Sequence, residues 1–213
     1  MRCSRIHRDW AGALALVAFA LPLAAQEEPV EPRKTVTVEE HEMELEWNPS
    51  ISMSELIRGM PELPEARVTV RGFRDLRPMP QRVADVQESP QRVHAFVAEN
   101  NVTSWVADNF VRSLGRAGVR IGSGGDLIMS GEITTFLATK SPDYNGDVAI
   151  RITLQRGEKV VWRGMVSGWS HEGGDWGLGD EDEYNEVLSD AVMRAAASLA
   201  WYPKFRAVLA GDL

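Results

Sequence analysis

The sequence predicts an α+β fold: a two-layer sandwich, with a mainly antiparallel sheet and two amphipathic helices packed on one face. Three observations point there. Residues 101–118 and 184–202 carry apolar side chains at helical spacing (Val102, Trp105, Val106, Phe110 and Leu114 in the first; Tyr184, Val187, Leu188, Ala191, Val192, Ala195 and Leu199 in the second). Between them, 126–140, 146–157 and 158–169 read as strands, and the connections are too short for anything but antiparallel neighbours. Each helix has one face to bury, and such a sheet has one face to offer. Residues 66–213 are of the usual size for one core.

The elements follow in order. In TVTVEEHEMELEW (35–47), His41, Met43, Leu45 and Trp47 share one parity, and Glu40, Glu42, Glu44 and Glu46 the other, which predicts a strand with one acidic, solvated face. This strand is expected to add itself to a sheet edge. SMSELIRGM (52–60) reads as one short helix, ended by PELPE (61–65). ARVTVRGFRDLRP (66–78) is a core strand with a bulge at Gly72-Phe73. MPQRVADVQESPQ (79–91), poor in apolar residues and holding two prolines, reads as a long loop. Asn101 or Thr103 caps the first helix, and Gly115 and Gly118 close it. VRIGSGG (119–125) is a brief strand and turn. Asn145-Gly146-Asp147 is expected as a turn between strands, and RGEK (156–159) as a second, tighter one. Pro203 ends the last helix, and 204–211 adds a turn or two.

Ahead of these elements, Arg2, Arg5 and Arg8 precede an uncharged apolar run, Ala11 to Leu23, with Pro22 near its end and Ala24-Ala25 after it, the pattern of an export signal cleaved after residue 25. The run falls short of the ~20 residues that span a bilayer, so no stable membrane span is expected after cleavage. The single cysteine, Cys3, lies ahead of that run, where it cannot serve as a lipoprotein anchor. The expected location is periplasmic or secreted. Loss of 1–25 removes Arg2, Arg5, Arg8 and Asp9 and takes the net charge from −8 to −10. Most of that acidity lies in an N-terminal arm, 26–65, whose first residues, 26–34, read as a disordered linker. A net acidic chain without a basic stripe excludes nucleic acid as a natural partner.

The succession VTVRGFRDLRP, VTSWVADNFVRSLGRAGVRI, LIMSGEITTFLATK, DVAIRITLQRGEKVVWRGMVSG, an acidic stretch and an Ala-rich closing helix resembles the YajG-like envelope proteins of bacteria, and more distantly the N-terminal domain of TolB. Asp75-Leu76-Arg77-Pro78 matches the D-x-R-P after that family's first strand; Gly131-Glu132-Ile133 and Gly157 to Trp162 match less closely, the tryptophan standing one place late. The resemblance covers about 66–200. It implies an envelope protein with no agreed catalytic residues. Its members are usually lipoproteins, a feature this chain's cysteine does not support.

No nucleophile, phosphate-loop or zinc-protease pattern occurs: GSGGD (122–126) lacks the lysine, and no H-E-x-x-H is present. No catalytic residue, cofactor or metal is therefore expected. His41 beside Glu39 reads as a charged strand edge rather than a ligand pair, and Arg71, Arg74, Arg77 and Arg82 chiefly as surface charge that can pair with the arm or with Asp75. Asp143, Asn145 and Asp147 have the first spacings of a calcium loop, but Val148 and Leu154 stand at its sixth and twelfth places. The candidate binding residues lie in a Gly-rich stretch read as a 169–183 loop: Trp169, His171, Trp176, Asp180 and Asp182. Its tryptophans either fold back to pin the loop or stay exposed to anchor a partner. An acid just before a helix also caps it. The expected activity is non-catalytic binding of another envelope component. The alternatives are a small-ligand or divalent-metal module on the 169–183 loop, and a hydrolase built on His171.

Overall fold

The structure is a computed structural model that describes residues 35–174 and 177–212. The expected signal segment 1–25, the linker 26–34 and Trp176 lie outside the described residues. The fold is the expected α+β arrangement. Its centre is a pair of antiparallel hairpins formed by three long strands, β6 (Leu127–Lys140), β7 (Tyr144–Arg156) and β8 (Lys159–Glu172). The free side of β6 takes two partners in succession. Its first half pairs in parallel with β2 (Arg67–Asp75), which carries β5 (Arg120–Ile121) outside it. Its last residues pair in parallel with β3 (Arg82–Ser89), followed by β4 (Arg92–Ala98) and β1 (Thr37–Met43). The sheet thus forks, and β8 and β1 form the outer edges of its longer branch.

Helices α2 (Val102–Arg116) and α3 (Glu181–Trp201) lie against each other and against the same face of the sheet. Asn101 caps α2 by accepting from the Ser104 amide at 2.8 Å. Asp180 caps α3 in a box with Glu183. α1 (Met53–Leu56) and α4 (Pro203–Ala210) are the short helices expected near those positions, α4 starting on its proline. Ile133, Phe136, Ile150, Ile152, Phe110 and Leu188 are wholly buried between the layers, each contributing roughly 1.5–3 kcal/mol by leaving water.

Three expectations about the sheet and its charges need correction. Residues 79–91, expected as a long loop, instead hold β3 and the turn into β4, which pair as an antiparallel hairpin. Only Val83, Ala84 and Val86 of β3 are buried, and that small apolar payload between prolines left little periodic signal. Asn145-Gly146-Asp147 is not a turn; it lies inside β7, paired with His171, Ser170 and Trp169, and the chain reverses at 141–143. Gly146 and Gly168 serve packing instead. A Cβ at Gly146 would run into the Val187 backbone, and one at Gly168 into the Ala191 carbonyl. They let the alanine-rich face of α3 lie directly on β7 and β8. Third, Arg77 is buried, not a surface charge: it forms a two-pronged pair with buried Asp75 and donates to the carbonyls of Arg82 and Phe136. Arg74 pairs with Glu132, and Arg82 with Asp85 at 2.5 Å.

The compact unit begins at Thr35 rather than at Ala66. β1 joins the sheet edge as expected, and Met43, Leu45, Met53 and Leu63 of the arm are buried in the core. Beyond β1 the backbone has no strand partner among the described residues. Buried polar side chains of α3 satisfy it instead: the amides of Glu46, Asn48 and Ser50 donate to Asn185, Ser189 and Asp190 at 3.0–3.1 Å.

Candidate functional site

Trp169 and His171 are not on a loop. Both belong to β8, on the parity that points away from the helices, while their neighbour Ser170 is buried on the helix side. Trp169 is 56% exposed. Its ring stacks on that of His171, with centroids 5.7 Å apart and planes at 12°. His171 Nδ1 lies 3.1 Å from Asn145 Oδ1, and its Nε2 3.8 Å from an Asp143 carboxylate oxygen, so β7 and the turn before it flank the imidazole. Met165, 49% exposed, stands on the same parity of the same strand. Ser170, its neighbour in sequence, faces the other way and is not beside the His171 ring.

Asp180 and Asp182 lie beyond β8, at the start of α3. Asp180 Oδ1 accepts from the Asp182 amide at 3.1 Å, and Glu183 accepts from the Asp180 amide at 3.2 Å and from the Tyr144 hydroxyl at 2.7 Å. Tyr144 in turn accepts from buried Lys140 at 2.9 Å. Tyr184 packs edge-on against Tyr144, and burial pushes its phenol well above the ordinary range. This region stabilises the end of the helix: the cap, the glutamate and the lysine–tyrosine relay satisfy one another. The structure separates Trp169 and His171, on the open face, from Asp180 and Asp182, on the helix layer.

A second convergence was not visible in sequence. On β1 and β4, Glu39 pairs in register with His94, and His41 with Phe96, all on the helix-facing side. His94 lies in a segment adjoining the expected loop, so nothing in the sequence placed it beside His41.

Comparison with known proteins bears on the fold alone. No described protein family and no curated protein matches the chain in sequence. Among solved structures, a Xanthomonas campestris protein assigned to the family DUF330 is similar with a TM-score of 0.51 at 11% identity, over 82% of this chain and 99% of that one. An uncharacterized protein is similar at 0.49 and 12% identity, over 77% and 97%. The lipoprotein GNA1162 of Neisseria meningitidis is similar at 0.33 and 14% identity, over 50% and 83%. Among the described residues, no helix is long and apolar enough to cross a membrane.

Proposed function

We propose that this chain is an exported, non-catalytic protein of the bacterial cell envelope that binds another envelope protein along the β8 edge. The observation that carries the reading is Trp169: a large aromatic ring left open on an outer strand that, among the described residues, pairs only with β7. An exposed tryptophan is costly to leave in water and is a favoured anchor at interfaces. A long outer strand with a free row of backbone groups is suited to strand addition. Two features of the sequence support the envelope part: the export pattern of residues 1–25 and the resemblance to YajG-like proteins. Attachment by lipid is not part of the proposal, because Cys3 precedes the apolar run.

The test is photo-crosslinking in cells from an unnatural residue at Met165, in the parent and in Trp169→Ala. One defined envelope protein captured by the parent and lost from the variant is the expected result. Capture of no defined protein, or equal capture by both, would overturn the proposal. A processed chain beginning at Gln26 in the periplasmic fraction is expected; an unprocessed cytoplasmic chain would remove the envelope assignment.

A further inference from the structure

We infer that the β1–β4 edge is a binding site for one divalent transition-metal ion of the zinc class, with Glu39, His41 and His94 as ligands. His41 Nε2 and His94 Nδ1 are 3.0 Å apart, and His94 Nδ1 is 3.6 Å from Glu39 Oε2. All three ligand atoms lie within 4.8 Å of one another. Metal–ligand bonds of about 2.0–2.2 Å place neighbouring ligands of a tetrahedral zinc roughly 3.3–3.6 Å apart, so the trio needs only small adjustments to close on an ion. Two imidazoles and one carboxylate suit zinc and its neighbours rather than calcium, which takes oxygen ligands alone.

The surroundings favour this geometry. His94 Nε2 lies 3.2 Å from Glu88 Oε2 on the far side of the ring. A carboxylate there keeps the proton on Nε2 and turns the Nδ1 lone pair toward Glu39 and His41, the carboxylate–histidine arrangement that commonly backs a metal ligand. Arg92 also donates to the same Glu88 oxygen, at 3.2 Å, which fixes the carboxylate against the ring. Arg92 Nε holds the other oxygen of Glu39 at 3.4 Å, which leaves Oε2 facing His94. His94 is 5% exposed, whereas Glu39 is open to solvent, so an ion has both a fixed anchor and a way in. The fourth position faces solvent and suits a water. An ion held there ties β1 to β4 through three side chains.

Zinc is titrated calorimetrically into the full chain, purified without a histidine tag. One equivalent is expected to bind, with a melting temperature that rises with zinc and is unmoved by calcium. His41→Ala and His94→Ala are each expected to weaken binding by at least about tenfold, and Glu88→Gln by about 10–100-fold. His171→Ala is expected to leave it unchanged. Absence of saturable binding in the parent would overturn the inference. So would binding that survives His41→Ala, or that is lost in His171→Ala, which would place the ion beside Asp143. Should His94→Ala fail to fold, His41→Ala decides, because His41 lies on an outer strand and is only half-buried. None of these outcomes depends on a partner at β8.

Discussion

The outer strands β1 and β8 end the same branch of the sheet in opposite ways. β1 carries Glu39, Glu40 and Glu42, pairs in parallel with β4, and continues into a segment held by polar side chains of α3. β8 carries Val160, Met165 and Trp169 exposed, pairs antiparallel with β7, and is held against α3 by backbone contact through Gly168. Charges on an outer strand discourage strand addition, whereas exposed apolar side chains beside free backbone groups invite it. The comparison separates two roles. The acidic edge suits the proposed metal ion, and the apolar edge the proposed protein partner.

Replacing Gly168 by valine strikes the β8 side hardest. The new side chain meets the α3 backbone, which cannot yield without moving the helix, so a loss of about 3 kcal/mol or more is expected. Urea unfolding measures it, and a loss below about 1 kcal/mol would mean that the helix is not seated so closely. On the other side, Asp190→Ala removes the acceptor for the Ser50 and Ile51 amides and the Ser50 hydroxyl. A loss of about 2 kcal/mol is expected. Limited proteolysis should show new cuts within 44–52 and none in β8; cuts in both would show that the edges are not held independently.

Trp169→Ala tests the opposite property. An exposed ring on the open face should change stability by no more than about 0.5 kcal/mol while abolishing partner capture. A large loss of stability would make Trp169 a packing residue and erase the contrast. The smallest effect is expected from Glu132, which sits between Arg74 and Arg151 on the open face, half-way between the edges. Hydrogen bonds from these arginines hold its carboxyl below the ordinary 4.5. Its contribution is therefore complete above that value and is lost as pH falls through the lowered one. Urea midpoints of parent and Glu132→Gln should differ slightly at pH 7 and converge at acid pH; a constant difference would assign the effect to packing.

Much of the fold was legible because its signals are local. The caps at Asn101 and Asp180, the stripe of α3 and the turn at Gly157 each depend on residues within one turn or one strand of each other. The β3–β4 hairpin was not legible, because its burial comes from neighbours that sequence does not reveal: β6 on one side and β1 on the other. Gly146 read as turn chemistry for the same reason. Its glycine is required by a helix backbone some forty residues away, and a distant close approach leaves no mark on the local pattern. Of the candidate residues, Trp169 was legible as a large apolar ring among polar neighbours, but its place on a strand rather than a loop was not.

By itself the sequence determined the helices, the long central strands, the acidic first strand and the lack of any linear catalytic motif. Each follows from periodicity or from adjacent residues, and such signals survive without knowledge of the fold. Only the tertiary structure decided that the sheet forks, that Asp75 and Arg77 are buried together, that Trp169 faces solvent, and that His94 meets His41 and Glu39. Those facts depend on strand register and on which face is covered, and register is fixed by the whole packed core rather than by any one segment.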